Sequence, residues 1–120
     1  NGGEATGTSE VASENLPVRI LAFSSEDCRP CHTLQAPALL RVLAQRGESV
    51  SVIDIDAPSS PELTQTYRVL TVPTTVVLDA QNHVHAVNYG FANASRLLEQ
   101  IDEILANVAI DAEVTVSRAQ

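Results

Sequence analysis

Residues 18–31 read VRILAFSSEDCRPC, and this stretch decides how the chain folds. Its first seven residues are mostly large, apolar, β-branched or aromatic, which is typical of a buried strand. The polar run from Ser25 to Asp27 is rich in residues that begin helices, and it leads directly into Cys28 and Cys31. The two cysteines are therefore predicted to lie between a buried strand and the first turn of a helix.

The rest of the chain continues the alternation of strand and helix patterns. From residue 31 to residue 46, apolar residues that include Leu34 and Val42 recur at intervals of three and four, which predicts a helix that Gly47 ends. The patterns also predict strands at 50–55, 75–78 and 84–88, a short helix at 62–68, and a last helix that Ser95 caps and whose apolar stripe ends at Val108. The first strand–helix–strand unit favours parallel pairing, and the short link between the last two strands favours an antiparallel hairpin.

The two ends of the chain differ in composition from the middle. Residues 1–15 hold three of the five glycines and few apolar residues, so we expect a flexible leader. A helix docked through Val11 and Leu16 is the alternative. Residues 109–120 alternate only weakly and are expected to form a mobile tail, or else an added edge strand. One domain over residues 16–108 remains, and a chain of this length buries about two-thirds of its unfolded surface.

The charge of the chain limits what it can bind. Seven arginines and no lysine stand against fifteen acidic residues, a formal net charge of −8, and the arginines are scattered along the sequence. Since nucleic acids attract clustered basic residues, this composition excludes nucleic-acid binding. No apolar run approaches the roughly 20 residues needed to cross a bilayer. Because the chain lacks methionine even at position 1, we expect that a signal peptide, an anchor or another N-terminal segment has been removed.

Cys28 and Cys31 are the only sulfur-containing residues, and their placement predicts redox chemistry. The amides of a first helical turn have no partner within the helix, and the helix dipole adds positive potential there, so a Cys28 thiolate is stabilised and nucleophilic. Cys31, one turn further, can attack the mixed disulfide that Cys28 forms. Arg29 adds a cation beside the thiolate, Asp27 opposes it, and Pro30 is tolerated because first-turn amides are unpaired.

Two other interpretations of the cysteine pair stay open at this point. A zinc site needs about four ligands, and His32, His83 and His85 complete one only if the hairpin folds back onto the start of the helix. The sequence CRPCH at 28–32 also matches the covalent haem attachment motif. The absence of methionine and the four strand patterns disfavour a small haem protein, which is mostly helical and often uses an axial Met.

A second motif reinforces the redox interpretation. The sequence TVPT at 71–74 opens the third predicted strand about forty residues after the cysteines, and the combination resembles the thioredoxin-like superfamily over residues 16–108. The resemblance implies an α/β fold, with a central four-stranded mixed sheet flanked by helices on both faces. It also implies that Pro73 is cis and packs against the two sulfurs, while the backbone of Val72 pairs with an extended substrate segment. We expect these two residues to open an edge strand.

The resemblance also implies a function. It points to a thiol–disulfide oxidoreductase that reduces protein or peptide disulfides, receives electrons from a donor protein and works as a monomer. No metal is implied, and no cofactor beyond the redox-active disulfide of Cys28 and Cys31. The alternative is a module of the same fold that binds a partner, or carries a metal on its two thiols, without turnover.

The chain departs from thioredoxins proper at several positions. Asp27 stands where they carry Trp, Arg29 stands where they carry Gly, and Ala22 replaces a buried acid that assists proton transfer. The helix proline, Pro37, comes one residue later than usual. These departures are similar to those of divergent bacterial members, many of them membrane-tethered, and imply an extracytoplasmic or membrane-anchored location.

Overall fold

The computed structural model describes residues 16–119, with side chains described as far as Ala109. The predicted leader at 1–15, and most of its alternative helix, lie outside the described residues. The strands are β1 (Val18–Ser24), β2 (Val50–Asp56), β3 (Thr74–Asp79) and β4 (Val84–Tyr89). The helices are α1 (Ala36–Arg46), α2 (Pro61–Thr66) and α3 (Ala94–Ala119), with a π-helical turn at Cys31–Gln35 and a 3₁₀ turn at Ala57–Ser59.

The four strands form one mixed sheet in the order β2-β1-β3-β4. β1 and β2 are parallel, and Val18 pairs with Val50 at the start of their register. β3 runs antiparallel to both β1 and β4. The predicted parallel unit and hairpin are therefore confirmed. The expectation that Val72 and Pro73 open an edge strand is wrong, because β3 lies between two hydrogen-bonded neighbours.

Helices cover both faces of the sheet, as predicted, but they cover them unequally. On one face α1 and α3 pack against β1, and Ile20, Val42 and Leu97 are fully buried there. On the other face the only helix among the described residues is the short α2. After it, Tyr67 packs against Phe23 with their ring centroids 6.4 Å apart. Burial of each such side chain stabilises the fold by about 1.5–3 kcal/mol, so the sheet is held mainly through these two apolar layers.

The predicted helix from residue 31 to residue 46 begins with a widened turn. The amide of Ala36 donates to the carbonyl of Cys31, five residues earlier, so one extra residue is accommodated in the turn. The late position of Pro37 follows from this extra residue. Leu34 belongs to the apolar residues that predicted this helix, but the widened turn leaves it 48% exposed and buries Gln35 instead.

The last helix differs from its prediction at both ends. Asn93 Oδ1 accepts a hydrogen bond of 2.8 Å from the amide of Arg96, so Asn93 caps α3 and Ser95 does not. The backbone stays helical to Ala119, eleven residues beyond the predicted end at Val108. No helix in the described part of the chain is long and apolar enough to span a membrane.

Candidate active site

The two cysteines form a disulfide at the start of the π-helical turn, with their Cα atoms 5.3 Å apart. The turn begins at Cys31, so the Cys31 amide has no partner in a preceding turn. It donates instead to Cys28 Sγ at 3.2 Å. An amide donor at this sulfur stabilises negative charge on it, which is the local effect that the sequence predicted. Cys28 is 9% exposed and Cys31 is 4% exposed, so Cys28 is the more accessible of the two by a small margin.

The charged residues around the cysteines lie at the surface. Asp27 and Arg29 are both exposed, and the Asp27 carboxylate accepts a hydrogen bond of 3.0 Å from the Ser25 hydroxyl. Pro30 is also exposed and has helical backbone angles, which confirms that the first turn tolerates it. Because water and salt screen exposed charges, the amide at Cys28 is the stronger local influence on its sulfur.

A narrow cleft lies behind the disulfide, which we call the sulfur cleft. It has a volume of about 260 Å³, and the residues that line it include Phe23, Cys31, His32, Gln35, Asp54 and Pro73. The peptide bond between Val72 and Pro73 is cis, as expected, and Pro73 is buried. The Pro73 carbonyl accepts a hydrogen bond of 2.9 Å from the Gly90 amide. The structure thus brings Pro73 and Cys31 to the same cleft, although 42 residues separate them in sequence.

Val72 lies beside a different, shallower cleft. It is half-buried, and it lines a depression of about 230 Å³ together with Ser25, Pro58 and Leu70. Leu70 is 87% exposed, the largest exposed fraction among the described large apolar residues. Because Ser25 belongs to the loop that carries Cys28, this apolar depression adjoins the disulfide.

Two residues of the site were missed by the sequence analysis. Gln35 is 3% exposed, and its side-chain amide donates to the Ala92 carbonyl at 2.9 Å while its oxygen accepts from the Ala92 amide at 3.0 Å. The late Pro37 was the only signal of the turn that places Gln35 inward. Asp54 lies within the strand predicted at 50–55, yet it lines the sulfur cleft; its side chain is exposed and its register partner is Ala22.

The histidines of the zinc hypothesis have separate partners. His32 Nε2 lies 3.0 Å from the Glu26 carbonyl, His83 lies 3.3 Å from Asp79, and His85 lies 2.7 Å from Glu103. Within the described residues, no three His, Cys, Asp or Glu side chains are grouped so that they could hold a metal. The hairpin carries its two histidines on its own strand and turn, and it does not fold back onto the start of the helix.

Comparisons with known proteins agree with this geometry. The family model described as Thioredoxin matches residues 5–103. A thioredoxin of Mycobacterium bovis is 25% identical over 105 residues, which cover 88% of each chain, and a thioredoxin-like protein of Synechocystis is 28% identical over 91 residues, which cover 76% of this chain and 84% of that one. The crystal structure of chloroplastic thioredoxin z superposes with a TM-score of 0.69 and 27% identity, covering 83% of this chain and 89% of that one. The chain therefore belongs to the thioredoxin family, and Cys28 and Cys31 form its redox-active disulfide.

Proposed function

We propose that this thiol–disulfide oxidoreductase reduces disulfides in protein or peptide substrates, with Cys28 as the nucleophile and Cys31 as the resolving thiol. The observation that carries the proposal is the hydrogen bond from the Cys31 amide to Cys28 Sγ, at 3.2 Å. It stabilises negative charge on Cys28 and not on Cys31, so the two sulfurs are chemically different. The slightly greater exposure of Cys28 supports the same assignment.

The reaction proceeds in two exchanges. The Cys28 thiolate attacks one sulfur of the substrate disulfide, and the other substrate sulfur leaves as a thiolate that takes a proton from solvent. Cys31 then attacks Cys28 in the mixed disulfide, and the second substrate sulfur leaves in the same way. Two electrons pass from the enzyme dithiol to the substrate, and the enzyme ends as the Cys28–Cys31 disulfide.

Val72 and Pro73 form the proposed substrate groove. The apolar depression beside Val72 adjoins the loop that carries Cys28, and Pro73 lines the sulfur cleft with Cys31. An extended peptide laid along Val72 would pair with its backbone, as an added strand pairs with a sheet. The exposed Leu70 offers such a peptide an apolar contact at the same place.

The neighbours of Cys28 adjust its reactivity in this proposal. Arg29 stabilises the thiolate and Asp27 opposes it, both weakly because both are exposed. Pro30 holds the first turn in helical conformation between the two cysteines. Members of this family act on protein disulfides and receive electrons from a reductase. We propose that a donor protein supplies this chain, that it works as a monomer, and that its net charge of −8 keeps it from nucleic acids.

The experiment that tests this function traps the first covalent complex. The variant Cys31→Ser is reduced, mixed with a disulfide-containing protein such as insulin, and analysed by mass spectrometry without reductant. We expect a covalent adduct on Cys28 that dithiothreitol releases, because the resolving thiol is missing. The matched variant Cys28→Ser is expected to form far less adduct. Greater trapping by Cys28→Ser would reverse the assigned roles, and equal trapping would show that the two sulfurs do not differ. No trapping, together with metal bound to the reduced wild-type protein, would favour a carrier.

A further inference from the structure

The proposed substrate groove and the reactive sulfurs belong to different parts of the chain, so their spacing depends on what joins them. Val72 and Pro73 directly precede β3, whereas Cys28 and Cys31 lie at the start of the π-helical turn. Cys31 and Pro73 both line the sulfur cleft, an open space of about 260 Å³, so side-chain packing across it is incomplete. Hydrogen bonds from the cysteines' own segment to the rest of the fold therefore matter for this spacing.

Residues 25–35, which we call the cysteine segment, bond mostly to one another. Within the described part of the chain, the loop and side-chain hydrogen bonds of residues 25–34 join partners at most six positions apart, the longest being that of His32 with the Glu26 carbonyl. None of them reaches β3 or the loop that follows β4. These bonds hold the segment's own shape but do not attach it to the groove.

Gln35 is the exception, and it makes two bonds to a single residue. Its Nε2 donates to the Ala92 carbonyl at 2.9 Å, and its Oε1 accepts from the Ala92 amide at 3.0 Å. Two such bonds fix the orientation of the Ala92 backbone as well as its distance. Gln35 and Ala92 are each 3% exposed, so water has little access to replace either bond. We call this pair of bonds the Gln35 clamp.

The clamp reaches the substrate groove through the residues just before Ala92. The Gly90 amide donates to the Pro73 carbonyl at 2.9 Å, which attaches the same loop to the residue that precedes β3. Gly90 has a φ of 85°, a left-handed conformation that glycine adopts without strain. Residues 90–92 therefore form a short bridge that is bonded to Pro73 at one end and to the cysteine segment at the other.

We propose that Gln35 is a positioning residue for substrate binding, because its clamp sets the distance between the cysteine segment and the groove at Val72 and Pro73. Cys31 and Gln35 are the two buried residues of the π-helical turn and line the same cleft, so the clamp and the disulfide move together. A substrate segment that pairs with Val72 presents its disulfide at a fixed place, and the attack is fast only if Cys28 Sγ lies there. A misplacement of about 1 Å can lower such a rate about 100-fold.

This inference rests on the proposed function, and its test compares two disulfides that differ in their need for the groove. Every variant is made in the Cys31→Ser background, so that only the attack by Cys28 is measured. Insulin has a peptide backbone that can pair with Val72, whereas dithiobis(nitrobenzoate) is a small aromatic disulfide without one. The initial rates of adduct formation on Cys28 are measured by mass spectrometry for insulin and by release of thionitrobenzoate for the small reagent. The ratio of the insulin rate to the small-reagent rate reports the groove.

The variant Gln35→Leu keeps a side chain of similar size and removes both bonds of the clamp. We expect it to lower the ratio about tenfold, less than the full effect of a misplaced group, because the bond between Gly90 and Pro73 remains. The rate with the small reagent is expected to stay unchanged, since the thiolate of Cys28 is not altered. A purely structural role of Gln35 would leave the ratio as it is.

The variant Gln35→Glu makes the clamp depend on pH. A protonated carboxyl can donate to the Ala92 carbonyl and accept from the Ala92 amide, as glutamine does, and burial raises the pKa of such a carboxyl. Once ionised, it has no proton to donate and its charge faces the Ala92 carbonyl. We expect a ratio close to the background value in mildly acidic solution that falls as pH rises. Ionisation of Cys28 cancels from the ratio, and His32 and Asp54, which also line the cleft, are present in every variant.

Two control variants separate positioning from a general loss of stability. Gln45→Leu makes the same change at an exposed position of α1. Ile104→Val removes a buried methyl group of α3 beside Pro17, at the opposite end of β1 from the cysteine segment. Both are expected to keep the background ratio.

The outcomes distinguish the two levels of the argument. If the Cys31→Ser protein forms no adduct with insulin, the proposed function itself is overturned. If that adduct forms and Gln35→Leu leaves the ratio unchanged, only the role of Gln35 is overturned. An equal fall of the ratio in Ile104→Val would also overturn it. Should Gln35→Leu fail to fold, a ratio that does not vary with pH in Gln35→Glu would do the same.

Discussion

At the scale of single residues, Asp79 shows how much one carboxylate can organise. Its Oδ1 accepts hydrogen bonds of 2.9 Å from the amides of Gln81 and His83, and its Oδ2 lies 3.3 Å from the His83 ring. Partial burial acts to raise the pKa of Asp79, but the two amides and the His83 imidazole outweigh it and hold the pKa below its ordinary value of 3.8. The carboxylate therefore fixes the turn between β3 and β4.

The sign of this shift predicts how stability depends on pH. A carboxyl whose pKa is lower in the folded state stabilises the protein above its unfolded-state pKa, and that stabilisation is lost as pH falls through the folded-state value. At neutral pH we expect Asp79→Ala to lower the free energy of unfolding by about 1–2 kcal/mol, because two amides lose their acceptor. Asp79→Asn keeps one acceptor oxygen and should lose less.

Urea unfolding measured from neutral pH down to about pH 3, below the usual carboxyl range, checks this prediction. The acid-induced loss of stability should be smaller in Asp79→Asn than in the wild type, because the asparagine amide does not titrate. Glu48→Gln, at an exposed position next to α1, provides the control and should leave the wild-type pH dependence intact. If Asp79→Asn and the wild type lose stability in parallel on acidification, the assigned role of Asp79 is wrong.

The site residues that the residue pattern alone predicted are those whose chemistry is local, whereas Pro73 was predicted only through the family resemblance. Cys28 and Cys31 are three positions apart, and their neighbours in the chain already describe their environment. Gln35 and Asp54 reach the site through contacts that form only after folding. Gln35 bonds Ala92, 57 residues away, and Asp54 reaches the cleft through the register of two strands. The residue pattern of a single segment therefore predicts neither contact.

At the scale of elements, the π-helical turn makes a measurable contribution to the free energy of unfolding. It buries Gln35, whose side chain satisfies both the amide and the carbonyl of Ala92. In Gln35→Leu these two buried groups have no partner, and each unsatisfied group costs about 1–3 kcal/mol. We expect a loss of about 2–4 kcal/mol in the free energy of unfolding, measured with urea.

Gln45→Leu is the matched control for this variant. It makes the same change on the exposed side of α1, where surface substitutions usually change stability by less than about 0.5 kcal/mol. Similar losses in the two variants would mean that the bonds to Ala92 contribute little.

Strands were easier to predict than helix ends, for physical reasons. β1 has its predicted bounds, and β2, β3 and β4 extend their predictions by one or two residues, because alternation and β-branching mark a buried strand throughout its length. A helix cap is harder to predict, because neighbouring residues can each fill the same role. Asn93 and Ser95 are both good caps, and the left-handed Gly90, at φ 85°, sets the path by which the chain reaches Asn93.

At the scale of the whole molecule, α3 defines how far the folded domain extends. Leu97, Ile101 and Ile104 are buried against the sheet, and Arg46 of α1 makes two hydrogen bonds of 3.0 and 3.2 Å to Asp102. From residue 106 to residue 109 every side chain is exposed. These four residues of α3 therefore lie outside the apolar core.

This arrangement predicts the effect of shortening the chain. Because residues 106–109 already lie outside the core, we expect a protein that ends at Ala109 to keep its free energy of unfolding within about 0.5 kcal/mol of the full chain. A protein that ends at Gln100 loses Ile101 and Ile104, and should lose about 4 kcal/mol or more. Thermal and urea unfolding of the two shortened proteins make the comparison. Strong destabilisation of the protein that ends at Ala109 would mean that the folded domain extends into residues 110–120.

The π-helical turn also determines how this fold accepts a change of length. In a regular helix, one inserted residue rotates everything after it by about 100° around the axis and would carry Leu39 and Val42 out of the core. The widened turn at Cys31–Gln35 accommodates the extra residue within itself, so the later residues of the helix keep their orientation towards the core. The extra residue near the disulfide is thereby separated from the packing of the sheet, so the core-facing end of the helix keeps its contacts.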